Sequence, residues 1–123
     1  MPKYMLILRD DITKDLSGIG PEQFGEILAA YEAWGAKLAK SGNLQLGRKL
    51  QNEGGRVLEP DAIGKHVSAK DGPYVETKEV VGGVYLISAR DYDHAVKLCE
   101  GHPHFRFGSI EVREIDFMGG PEQ

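Results

Sequence analysis

Two short segments of this chain are apolar on both of their alternating faces, and no other feature constrains the fold as strongly. Side chains of an extended strand point alternately to opposite sides. In Tyr4-Met5-Leu6-Ile7-Leu8, therefore, Tyr4, Leu6 and Leu8 share one face and Met5 and Ile7 the other, and the charged Arg9-Asp10-Asp11 that follows reads as a loop. The same holds for Val84 and Leu86 against Tyr85 and Ile87. Strands of this kind must be covered on both sides. The chain has only two stretches with helical periodicity, and two helices cover one face of a small sheet. The least costly cover for the second face is the same sheet of another copy, so the pattern predicts a homodimer.

The remaining elements follow from local signals. Pro21 is placed for a first helical position, and Phe24, Ile27, Leu28, Tyr31, Trp34 and Leu38 recur at three- and four-residue spacing. This predicts a long amphipathic helix ending near Ser41, with Lys37 and Lys40 complementing its dipole and Gly42 as the left-handed cap. Trp34 is read as core. Leu44 to Leu50 alternates like a strand, and Gln51 to Gly55 is a turn. Val57-Leu58 pairs briefly before Pro60, and His66-Val67-Ser68-Ala69 enters a tight turn at Lys70-Asp71-Gly72-Pro73 as part of a hairpin. Val80 to Ile87 is the strongest strand of the second half. Asp91 then caps a helix carrying Ala95, Val96 and Cys99 on one face, which stops by Gly101-His102-Pro103. Ser109 to Phe117 is the last strand. Strand, long helix, strand region, strand, short helix, strand is the order of an α+β ferredoxin-like plait. Residues 1–118 form the single domain and 119–123 a loose tail.

Composition narrows the function. A chain of 123 residues is one domain's worth of polypeptide, able to bury about two thirds of its unfolded surface without staples. Fifteen basic against nineteen acidic residues leave a formal charge of −4 with no Lys/Arg stripe, which argues against nucleic-acid or anionic-membrane partners. No apolar run approaches the ~20 residues that span a bilayer. The lone Cys99 forms neither an internal disulfide nor a thiolate cluster, and the first strand begins directly after Met1-Pro2, so a cytoplasmic location is expected. There is no Gly-x-Gly-x-x-Gly after a strand, no phosphate loop and no Gly-x-Ser-x-Gly elbow. Cys99, on a buried helical face, reads as a small hydrophobe rather than a nucleophile.

Two stretches carry candidate chemistry. Asp71-Gly72-Pro73 is first a turn, since Asp bonds its own backbone two residues on and Pro fixes its φ. The turn would also set Asp71, Tyr74 and Glu76 at the mouth of a cleft, with Tyr74 and Glu76 on one face if the segment is extended; Glu76, Lys78 and Glu79 serve equally well as a charged edge. His102-Pro103-His104 lies in a helix-to-strand connection, where binding groups concentrate. A histidine there exchanges protons near neutral pH if a carboxylate orients its ring. The plainer reading has His102 finishing the helix and His104 exposed. His94, in the first turn of the second helix, reads as surface. No carboxylates cluster with the histidines to complete a metal site, and no cofactor is implied.

The stretch Asp71-Gly72-Pro73-Tyr74-Val75-Glu76-Thr77-Lys78-Glu79, followed by Gly82-Gly83-Val84-Tyr85-Leu86-Ile87, resembles the signature of the YCII-related proteins, named for an Asp-Gly-Pro-Phe motif. The opening Lys3 to Ile7, Pro103-His104 and the closing Gly108 to Ile115 agree with it. The family's Phe is Tyr74 here, which keeps the ring and adds a hydroxyl. The resemblance implies ferredoxin-like protomers joined as a dimeric α+β barrel with a cleft at the sheet interface. Some members are encoded beside alternative sigma factors, and a related dehydrochlorinase of a hydroxylated chloroaromatic uses a His-Asp pair. Two functions are consistent with this. One is a cofactor-independent enzyme on a small hydroxylated or aromatic substrate, with His104 or His102 as general acid/base, Asp71 as orienting carboxylate, and Tyr74, Glu76 and Tyr85 contacting the substrate. The other is a non-catalytic module that binds a small-molecule ligand in a stress or sigma-factor circuit.

Overall fold

The computed structural model describes residues 1–51, 53–65, 67–71 and 79–116. Among the described residues six strands and two helices follow in the order β1 (Lys3–Asp11), α1 (Pro21–Lys40), β2 (Leu44–Lys49), β3 (Arg56–Pro60), β4 (Val67–Asp71), β5 (Glu79–Ser88), α2 (Tyr92–Cys99) and β6 (Gly108–Glu114). A single 3-10 turn, Pro103–Arg106, joins α2 to β6. Strands β2, β5, β1 and β6 form one sheet in that spatial order, every neighbouring pair antiparallel. This is the ferredoxin-like arrangement, with the chain crossing from β1 to β2 through α1 and from β5 to β6 through α2.

The core lies between the sheet and both helices. Tyr4, Leu6 and Leu8 of β1, Ile87 and Ala89 at the end of β5, Trp34 and Leu38 of α1, and Ala95 and Cys99 of α2 form one buried cluster. Ile110 and Val112 of β6 pack against it, as their register opposite Leu8 and Leu6 requires. The other alternating set is only half-buried: Met5 and Ile7 stand beside Leu86 and Val84, and Leu46 next to Leu86 is 39% exposed. The chain's own helices therefore cover one face of the sheet, as the two-sided apolar pattern predicts.

Pro21 begins α1, and its preceding residue Gly20 donates its N–H to the Gln23 side chain at 3.0 Å. The helix ends at Lys40, with Gly42 left-handed at φ 82°. Its apolar stripe is narrower than its spacing suggests. Ile27, Trp34 and Leu38 are buried, but Phe24 and Leu28 are 44% and 62% exposed, because they lie to one side of the helical line that runs through Ile27, Tyr31, Trp34 and Leu38. Asp91 caps α2 by accepting from the His94 N–H at 2.8 Å.

Three expectations change. The strand β1 runs on through Arg9-Asp10-Asp11 instead of yielding to a loop, because as an interior strand it is paired on both sides, Asp10 lying opposite Val80 and Gly108. Val57-Leu58 belongs to a full strand, β3, whose antiparallel partner is β4, so the hairpin closes with Pro60 opposite Val67. Within it the Asp61 carboxylate accepts from the Ile63 and Lys65 N–H groups, each at 3.1 Å. Strand β6 ends at Glu114, three residues earlier than expected. The predicted turn ends at Gly72-Pro73, which lies with His66 outside the described residues, while Lys70 and Asp71 close β4.

Candidate active site

The helix-facing set of β1 continues past Leu8 to Asp10, two residues on, and so brings a carboxylate to the side of the sheet where α1 and the 103–106 turn pack. Opposite it β5 carries a bulge, the register shifting between Leu8 and Arg9 so that Gly82 is left without a partner on β1. A Cβ on Gly82 would overlap the Asp10 carboxylate. Glycine at the bulge clears the space that this side chain takes, which is how bulges commonly re-aim groups beside functional sites.

The two histidines are set by the 3-10 turn. His102 caps it, its Nδ1 accepting the His104 backbone N–H at 3.0 Å, and Pro103 takes the first position. An accepting Nδ1 leaves the hydrogen of the neutral ring on Nε2, which faces the Tyr85 hydroxyl at 3.4 Å. The His104 Nε2 lies 2.9 Å from the Arg9 carbonyl oxygen, which can only accept, so Nε2 carries the hydrogen there too. Its Nδ1 is thereby free to accept from the Tyr31 hydroxyl at 3.2 Å. The Asp10 Oδ1 stands 3.7 Å from Nε2, beyond a good hydrogen bond and well within reach of a charge. The turn is tied to β1 by the Asp11 N–H donating to the Phe107 carbonyl at 2.8 Å.

Aromatic rings enclose this pair. His102 meets Trp34, Tyr31 and Tyr85 edge-on, with centroids 4.6, 5.1 and 5.6 Å away, and Phe107 lies 6.4 Å from His104. Trp34 itself donates Nε1–H to the Leu98 carbonyl at 2.9 Å. Both imidazoles are 3% exposed, whereas Tyr31 is half-buried and the Asp10 side chain is 40% exposed. The network thus starts in the interior and ends at solvent.

Burial, reinforced by the neighbouring His104, pushes the His102 imidazole down to about 4, so this ring is neutral at pH 7. Burial, with smaller effects from Tyr85 and Asp10, pushes the Tyr31 phenol up to about 12, and burial also raises Tyr85. Both phenols hold their protons. Chemically, then, Tyr31 is a hydrogen-bond donor to an imidazole base, and the far side of that base is supported by a carbonyl and a carboxylate. Among the described residues no group of three or more His, Cys, Asp or Glu is gathered as metal ligands would be, and all four imidazole nitrogens face protein groups.

The structure brings together three of the residues singled out from sequence, His102, His104 and Tyr85. Tyr74 and Glu76 lie outside the described residues, as does the side chain of Asp71. The carboxylate standing beside His104 is Asp10, which by sequence reads as part of a loop. By its spacing Tyr31 reads as one more member of a core stripe. Its hydroxyl was the available signal, because a Tyr on a buried face needs a polar partner. Cys99 is buried, and its thiol is pushed up to about 11 by that burial, as suits a packing residue. Among the described residues no helix is long and apolar enough to cross a membrane.

No curated protein matches this chain. Among solved structures, 5-chloro-2-hydroxyhydroquinone dehydrochlorinase (TftG) from Burkholderia phenoliruptrix AC1100, in complex with 2,5-dihydroxybenzoquinone, is similar at 15% sequence identity and a TM-score of 0.48, with 93% of each chain covered. The sequence model of the YCII-related domain matches residues 3–118, which takes in every strand and helix described above, and the chain belongs to the YCII-related family.

Proposed function

We propose that the chain is a cofactor-independent enzyme that moves protons on a small hydroxylated or aromatic substrate, with His104 as general base and acid. The observation that carries this reading is the Tyr31 hydroxyl bonded at 3.2 Å to a His104 Nδ1 whose opposite nitrogen is already held by the Arg9 carbonyl. A substrate hydroxyl donating to the Tyr31 oxygen would release a proton along this line. As the substrate O–H bond breaks, Tyr31 gains that proton and passes its own to Nδ1. The imidazolium so formed keeps Nε2–H on the Arg9 carbonyl and gains the Asp10 carboxylate 3.7 Å away as counter-charge. The reverse transfer would protonate a substrate anion. In this reading His102, neutral and fixed between the His104 N–H and Tyr85, is a positioning residue, and Asp71, Tyr74 and Glu76 would border the substrate.

The test is turnover of a panel of mono-, di- and trihydroxybenzenes, followed by absorbance and by deuterium incorporation from D2O. Tyr31→Phe should lower kcat/KM by about 10²-fold or more, the usual scale of acid/base contributions. A Tyr31→Phe or His104→Gln enzyme working within about threefold of the parent would overturn the assignment.

The second reading is a binding or regulatory module without catalysis. It is favoured by the full engagement of all four imidazole nitrogens, the condition of a structural network. Saturable binding of panel compounds with no turnover and no exchange, lost in Tyr31→Phe, would decide for it.

A further inference from the structure

A second cleft lies between the last turns of α1 and the length of α2, apart from the His102 and His104 network. It is an open groove of about 490 Å³ lined by Lys37, Leu38, Arg90, His94, Lys97, Leu98 and Glu100. That size is within the usual range for small-molecule sites. Its floor is apolar and fixed: Leu38 is 2% exposed, and the Leu98 carbonyl accepts the Trp34 indole N–H at 2.9 Å. Its rim concentrates three cations in a chain whose net charge is −4.

Helix dipoles account for part of this, since Lys37 and Lys97 each lie in the last turn of a helix. They do not account for the convergence of both lysines with Arg90 on one concavity, nor for the lack of an ion pair to any of the three among the described residues. His94 adds a directed donor. Its Nδ1 accepts the Arg90 backbone N–H at 3.0 Å, so the neutral ring carries its hydrogen on Nε2. The cleft's one carboxylate, Glu100, is exposed at its edge.

We propose that this cleft binds a small organic anion, a carboxylate or phosphate head held by Lys37, Arg90, Lys97 and the His94 N–H, with an apolar body against Leu38 and Leu98. Guanidinium and ammonium groups bind such heads through charge-assisted hydrogen bonds, the strongest available at a solvent-open site. The Leu floor selects anions that carry a hydrophobic group over inorganic ones.

The probes are benzoate and phenyl phosphate, with benzyl alcohol as neutral control, titrated into the full chain and followed by amide NMR. Either anion should shift residues 37–38, 90, 94 and 97–98 in a saturable manner that weakens with added salt. Lys97→Gln and Arg90→Gln should each weaken binding about tenfold, the scale of one lost charge-assisted bond. Both positions are exposed, so both variants should fold, which amide spectra would verify. No saturable shift with either anion up to millimolar concentration, equal binding of benzyl alcohol, or undiminished binding in both variants would overturn the proposal. Because none of these residues belongs to the His104 network, the outcome is independent of the catalytic assignment.

Discussion

At the scale of single residues, His102 couples the site to stability. Its Nδ1 accepts a backbone N–H and its ring lies against Trp34, so protonation would break a hydrogen bond and place a charge among aromatic rings. Its value falls from 6.5 to about 4 on folding. The unfolded chain therefore binds this proton more readily. The stabilisation is complete above pH ~6.5 and is lost as pH falls toward 4. Over that window it amounts to about 3 kcal/mol at most, at 1.36 kcal/mol for each unit of difference. Urea denaturation from pH 7.5 to 4 should show the decline, and His102→Asn, whose side-chain oxygen can still cap the turn, should flatten it. A His102 titrating near 6.5 by NMR would contradict the prediction. Trp34 is the matching apolar case. Buried at 7% exposure and hydrogen-bonded to Leu98, it should cost about 3–5 kcal/mol when cut to Ala. Leu28→Ala, on the same helix but 62% exposed, should stay within about 0.5 kcal/mol.

At the scale of elements, the site depends on how closely β6 approaches β1. A Cβ at Gly108 would overlap the Arg9 carbonyl oxygen, the same atom that accepts the His104 Nε2–H. Backbone offers no rotamer to relieve that overlap. Gly108→Ala should therefore destabilise the fold by about 2 kcal/mol or more in urea denaturation and shift the His104 ring resonances together with it. A variant as stable as the parent would show that the strands can part without cost. At Gly82 the obstacle is the Asp10 carboxylate, which is half exposed and can move. Gly82→Ala should accordingly act on the His104–Asp10 geometry more than on stability.

At the scale of the molecule, the face of the sheet opposite the helices sets the expectation. Met5, Ile7, Leu46, Val84 and Leu86 form an apolar field, bordered by Arg9, which meets the Glu111 carboxylate at 2.8 and 3.2 Å, and by Arg113 at 3.2 Å from the same carboxylate. These hydrogen bonds hold the Glu111 carboxyl below its ordinary range. An ion-paired border keeps the charges compensated if the face is buried. We expect the chain to pair this face with that of a second copy, closing two sheets into a barrel and burying more than ~1,000 Å². Sedimentation equilibrium at micromolar concentration should give twice the chain mass, and Leu86→Asp should return it to a monomer. A parent chain that sediments as a monomer throughout would refute the pairing.

Elements whose own side chains demand burial are legible in the sequence alone. The alternation of Tyr4 to Leu8 and Val84 to Ile87, the three-and-four spacing of Ile27, Tyr31, Trp34 and Leu38, and the capping residues Pro21, Gly42 and Asp91 are local signals, and each stands where it was read. The pair of histidines was legible as residue types in a promising loop. Their burial, their tautomers and their partners were not. Tyr31 and His104 are 73 positions apart and His104 and Arg9 are 95 apart, so no periodicity links them. Asp10 escaped notice for a related reason, since three charged residues after an apolar run resemble a loop until pairing on both sides holds them in a strand. Only the tertiary structure decided which carboxylate, phenol and carbonyl meet the imidazole, because hydrogen bonds of a few ångströms between distant segments are made by the docking of α1 and the 103–106 turn on the end of β1.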